Sequence, residues 1–210
     1  MIQKVMLGLR ELFPEIKPEL NYGSDYQCLV AVMLSAQCTD KRVNQVTNDL
    51  FRDYGTAEDM LKLTQTELEQ KIYSLGFFRN KAKNVLAMSK VVVEEYNGQI
   101  PKTASELEKL PGVGRKTANV VASALYGEQK LGVDTHVLRV TNRLGLVQAK
   151  TPLEVEKQWY KKYPKYNNHD CHLRLVLFGR YYCKAQKPKC GECKFVDFCK
   201  YYKSKSEVNK

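Results

Sequence analysis

Between two stretches of helical apolar spacing lies Leu110-Pro-Gly-Val-Gly-Arg-Lys-Thr-Ala118, the stretch around which the rest of the chain is organised. Upstream, Thr103-Ala-Ser-Glu106 has the form of a capping box, opening a short helix with Leu107 and Leu110 on one face. Pro111 should stop that helix, because its ring cannot continue the hydrogen-bond ladder. Gly112 and Gly114 then permit a tight reversal that other residues resist. From about Arg115 to Tyr126 the spacing is helical again, and Gly127 is a natural end cap. The expectation is a helix–hairpin–helix over about residues 105–126.

A helix N-terminus leaves backbone N–H groups unpaired and carries partial positive charge. With glycines allowing close approach, Gly112, Val113, Gly114 and Arg115 can hold a phosphate oxygen without reading a base. Lys116 falls in the first turn of the second helix. There the dipole and Arg115 disfavour a further positive charge, which favours a neutral, nucleophilic amine. The same residues also suit a plain turn between packed helices with a solvated lysine.

The 210 residues allow one large domain or two small ones. Lys and Arg number 34 against 23 acidic residues, a formal charge of +11 spread along the chain. Such a balance favours a polyanionic partner, nucleic acid first and an anionic membrane surface second. The N-terminal segment reads as an amphipathic helix closed by Pro14, not as a signal peptide. The longest apolar run, Cys28 to Leu34, is far short of the roughly 20 residues a membrane span needs. A soluble, cytosolic protein is expected. Seven cysteines in such a chain point to metal binding or buried thiols rather than disulfides.

Nearly every segment has helical spacing and none alternates strictly, so the expected class is all-α. Tyr26 to Gln37 is apolar on most sides, as a central buried helix would be. Further helices are expected over Val43–Phe51, after the capping box Thr64-Gln-Thr-Glu67, and from Lys81 to Tyr96, ended by Asn97-Gly98. Others follow from Asp134 to about Leu144, from Thr151-Pro152 to about Tyr163, and over Asn168–Tyr182. The polar tail after Tyr202 is expected to fray.

Cys183, Cys190, Cys193 and Cys199 form a C-x6-C-x2-C-x5-C array. Four crowded thiols make a soft site suited to zinc or to an iron–sulfur cluster, and the spacing alone does not choose. Lys187, Lys189 and Lys194 lie between them, placed either to grip phosphate or to keep a loop solvated. Cys28, Cys38 and Cys171 lack ligand spacing and read as packed thiols. Asp134 reads first as an N-cap. His136 reads as a packing or hydrogen-bonding residue outside any catalytic set.

Five segments in order resemble the endonuclease III family of DNA glycosylases. They are Leu34-Ser-Ala-Gln-Cys-Thr-Asp40, Leu75-Gly-Phe-Phe-Arg-Asn-Lys-Ala82, Leu110 to Asn119, Val133-Asp-Thr-His136 and the cysteine array. The resemblance spans nearly the whole chain. It implies two helical domains with the active site in the cleft between them: a six-helix barrel over 18–128, and a discontinuous domain of 1–17 and 129–210. The second would hold a 4Fe–4S cluster on the loop 183–199, structural or DNA-sensing rather than catalytic. Lys116 matches the family's nucleophile and Asp134 its catalytic aspartate. Gln37 matches a residue that fills the gap left by an extruded nucleotide. Phe77 matches a wedge position where relatives commonly carry leucine.

The function implied is base excision repair by a bifunctional glycosylase and abasic-site lyase. Its partner would be double-stranded DNA with oxidised pyrimidines, such as thymine glycol, or abasic sites. The lesion would be flipped out of the stack, Lys116 would form a Schiff base, and β-elimination would nick the strand 3′ to the site. A monomer in the bacterial cytoplasm, associated with the nucleoid, is the default. Two rivals remain: a monofunctional mismatch glycosylase that activates water, which Lys116 argues against, and a non-catalytic DNA-binding module with a structural zinc.

Overall fold

The computed structural model describes residues 1–208. Among them there is no strand, in keeping with the all-α expectation. The chain divides into two compact units, one from residues 18–128 and one from residues 1–17 together with the chain from 129 onward.

The contiguous unit is assembled around α2 (Asp25–Leu34). Tyr26 and every residue from Cys28 to Leu34 are buried, because the helix is apolar all round and α3 (Asp40–Asp53), α6 (Phe78–Tyr96) and α8 (Arg115–Tyr126) pack against it. Ser24 caps it through the N–H of Gln27. The helix ends at Leu34, short of the expected Gln37, because Gln37 turns into the left-handed region with φ +56°. A one-turn α4 (Ala57–Met60) and α5 (Gln65–Ile72) both lean on α6. At the start of α5 the Thr64–Glu67 capping box is fully formed. It is not fully formed at α7 (Ala104–Leu107), where Glu106 takes the Thr103 hydroxyl instead of its backbone N–H. Helix α7 also stops at Leu107, well before Pro111, and single-turn bonds from Lys109 and Leu110 carry the chain onward.

The discontinuous unit packs α1 (Ile2–Leu12) and α9 (Thr135–Arg143) on α11 (His169–Tyr181), with α10 (Pro152–Lys162) against α9. Close approach of α9 and α11 depends on Gly179, where a Cβ would lie 2.8 Å from the Cβ of His136. Residues 200–208 form α12 rather than a frayed tail. Tyr201 anchors it, with the Arg143 guanidinium 4.2 Å over its ring. No helix among the described residues is long and apolar enough to cross a membrane.

Candidate active site and cluster site

In the contiguous unit, Gly112 and Gly114 perform different tasks. Gly112 stands at φ +72°, and a Cβ there would fall 2.5 Å from the Cβ of Asn84 on α6. It therefore supplies both the backbone reversal and the close approach of the turn to its neighbour. Gly114 is the N-cap of α8, has ordinary backbone angles, and faces open space. No side chain caps that helix. The dipole end of α8 is thus presented through a residue without bulk, as an incoming phosphate requires. The side chain of Val113 is buried in the core, which leaves only its backbone for the turn's outer surface.

Arg115 and Lys116 open α8. The Arg115 guanidinium lies 3.7 Å from Glu108, a partly exposed pair of modest worth. Lys116 is half-buried and has no ion-pair or hydrogen-bond partner among the described residues. Its amine is held in the first helical turn without a carboxylate to occupy it.

Gln37 and Phe77 are brought close together. A Cβ on Gly76 would lie 4.0 Å from the Gln37 carbonyl oxygen. Both residues occupy the left-handed region, at φ +56° and +59°, where non-glycine residues are uncommon. Phe77, the N-cap of α6, is 66% exposed, so its ring is not committed to the core. Strain of this kind tends to collect at functional surfaces.

In the discontinuous unit, Asp134 caps α9, with Oδ1 accepting the N–H of Val137 at 2.9 Å. One carboxylate oxygen is thereby fixed and the other is left for further work. His136 stays a structural residue, its Nδ1 3.2 Å from the Arg139 guanidinium.

Cys183, Cys190, Cys193 and Cys199 line one common cavity with Tyr182 and Tyr201. All four are free thiols. Burial raises the thiols of Cys183 and Cys193, while the Arg143 guanidinium, 3.6 Å from Cys183 Sγ, acts the other way. No three acidic, histidine or cysteine groups among the described residues converge as ligands of a single ion. Four thiols lining one cavity make a soft donor set of the kind that holds an iron–sulfur cluster. Cys183 lies two residues beyond α11 and the other three on the loop that follows, so a cluster held by the four would tie that loop to the helix end. Cys28 and Cys171 are buried, which pushes each thiol up to about 12, so neither competes as a ligand. Of the loop lysines, Lys187 adopts φ +45°, Lys189 lies 5.6 Å from the Tyr182 ring centre, and Lys194 pairs with Glu11 at 2.7 Å.

Lys81 is the residue that periodicity did not single out. It is 8% exposed on α6, and its Nζ donates to Cys38 Sγ at 3.1 Å. Its signal was present: a lysine in the core-facing register of Ala82, Val85, Met88 and Val92.

A glycine hairpin opening a helix with a lysine in its first turn, in a chain that also carries a four-thiol cluster loop, is the combination found in a class of base-excision enzymes. Residues 30–165 match the HhH-GPD superfamily of base excision DNA repair proteins, and residues 183–199 match the iron–sulfur binding domain of endonuclease III. The chain is 49% identical to endonuclease III of Bacillus subtilis strain 168, over 90% of this chain and 87% of that one. Endonuclease III of Escherichia coli K12 is 40% identical over 94% of each. The fold matches a trapped endonuclease III–DNA covalent intermediate with a TM-score of 0.92, 44% identity and coverage of 98% and 97%. The protein belongs to the endonuclease III family: it is an enzyme of the DNA glycosylase and abasic-site lyase class, with a 4Fe–4S binding domain over residues 183–199.

Proposed function

We propose that the protein removes oxidised pyrimidines such as thymine glycol from duplex DNA, with Lys116 as nucleophile, and then nicks the strand by β-elimination. The observation that carries this reading is Lys116 itself, a half-buried amine without a counter-ion in the first turn of α8, directly behind the uncapped glycine turn. The trapping of a 44% identical relative as a covalent DNA intermediate supports it.

The steps follow from what these side chains can do. Backbone N–H groups at the start of α8 hold a phosphate beside the lesion, while the flipped nucleotide leaves a gap that Gln37 and Phe77 plug. The Lys116 amine attacks C1′, the glycosidic bond breaks, and its electron pair leaves with the base. Loss of the amine proton and opening of the sugar give an iminium. Asp134, through the oxygen not used in the cap, stabilises positive charge on the sugar or moves a proton. The iminium acidifies the C2′ hydrogen, and its removal expels the 3′ phosphate. Water then releases the enzyme from the product imine. The cluster takes no part in these bond changes; bound to its four cysteines, it fixes the loop whose Lys187, Lys189 and Lys194 engage backbone phosphates. The partner is duplex DNA in the bacterial cytoplasm, at the nucleoid, and the protein acts as a monomer.

The test is single-turnover assay of a thymine glycol duplex, following base release and strand nicking separately. Lys116→Ala should lose both by at least about a thousandfold, and Asp134→Asn should slow base release by at least about a hundredfold. Base release that survives Lys116→Ala without nicking would instead mark a water-activating glycosylase.

A further inference from the structure

Lys81 presents an unusual arrangement. Among the described residues its side chain has no carboxylate partner and reaches only the sulfur of Cys38. A lysine is rare in a core-facing register, and an apolar side chain would fill the same slot of α6 more readily. The arrangement therefore needs a reason beyond packing, and the backbone supplies one. Lys81 N–H donates to the Phe77 carbonyl at 3.0 Å, while its Nζ donates to Cys38 Sγ at 3.1 Å. One residue thus joins the wedge candidate on α6 to the neighbour of the other wedge candidate, Gln37. Cys38 is itself fixed, its N–H donating to the Ser35 carbonyl at 3.0 Å. Gln37 and Phe77 both hold left-handed backbone angles uncommon for residues other than glycine, and their turns approach through Gly76.

We propose that Lys81 and Cys38 form a clasp that presets the Gln37 and Phe77 turns as a rigid plug for the gap left by a flipped nucleotide. Both are positioning residues: neither touches the reacting atoms, and each acts through the turn beside it. The inference rests on the reading of Gln37 and Phe77 as plugs. A plug held in advance need not be ordered at the moment the base leaves the stack, and displacement of such a group by about 1 Å can lower a rate up to about a hundredfold.

The experiment uses the cluster-loaded full chain with Cys38→Ala, Cys38→Ser and Lys81→Met. Each is assayed under single turnover on a thymine glycol duplex and on an abasic site in a single strand, where no stacked gap needs filling. Cys38→Ala and Lys81→Met should slow duplex base excision about tenfold or more, yet change single-strand cleavage less than about twofold. Cys38→Ser, which keeps an acceptor for the Lys81 amine, should retain most of the duplex rate. Should Lys81→Met fail to fold, the contrast between Cys38→Ala and Cys38→Ser carries the test. Full duplex activity in Cys38→Ala, or equal losses on both substrates, would overturn the clasp. Gln37→Ala and Phe77→Ala are run alongside. If these two lose nothing on the duplex, the plug reading itself fails; if they lose activity while the clasp variants do not, only the clasp fails.

Discussion

The two hairpin glycines separate stability from binding at the level of single atoms. Gly112→Ala places a Cβ 2.5 Å from Asn84 at a backbone angle of +72°, so the turn must shift. We expect it to destabilise the protein by about 1–3 kcal/mol, read as a lower Tm. Gly114→Ala meets nothing within 4 Å and should cost only about 0.5–1 kcal/mol as a poorer N-cap, yet its methyl stands where a phosphate would approach and should weaken DNA binding. Equal Tm losses in the two variants would contradict this division. His169, at the first position of α11, has both ring nitrogens buried without hydrogen-bond partners among the described residues, and burial holds its pKa below the usual 6.5, only partly opposed by Asp170. Its folded-state pKa is thus lower than its unfolded one. Stability is complete above about pH 6.5 and falls as acid protonates the unfolded chain first. His169→Phe should therefore flatten the fall of Tm between about pH 7.5 and about pH 5.5, whereas parallel curves would exclude His169 as the cause.

Elements were legible where capping and periodicity agreed. The Thr64 box, the Thr151-Pro152 start, the Asn97 and Gly127 ends and the all-round apolar α2 stand as the residues suggest. Boundaries failed where tertiary contacts decide them. Pro111 does not end α7, and α12 is held by Arg143 against Tyr201, a contact no local pattern contains. The cluster loop depends on another such contact. A Cβ on Gly8 of α1 would lie 2.5 Å from Phe195 Cε1, so this glycine makes the seat for the ring that packs between Cys193 and Cys199 in sequence. Gly8→Ala gains about 1 kcal/mol of helix propensity but overpacks a buried aromatic at about 1–3 kcal/mol. The expected result is a lower Tm and faster bleaching of the cluster's visible colour by an iron chelator; a more stable variant with an unchanged bleaching rate would show that Phe195 moves freely.

At the scale of the whole molecule, the +11 charge and the absence of strand patterning already pointed to an all-helical nucleic-acid protein, and the five motifs to its family. The clasp between Lys81 and Cys38 was not legible, because it joins residues 43 apart in two separate segments and nothing local in either points to the other. Which thiols share a cavity likewise required the fold, although their crowding did not. The central claim is that an amine of this chain, Lys116, becomes covalently joined to the damaged strand. Incubation with a duplex carrying one abasic site, with borohydride present to reduce the imine, tests it most directly when the adduct is digested and its DNA-bearing peptide sequenced by mass spectrometry. The account predicts an adduct on Lys116 that Lys116→Ala abolishes; an adduct on any other amine, or one that persists undiminished in Lys116→Ala, would contradict it.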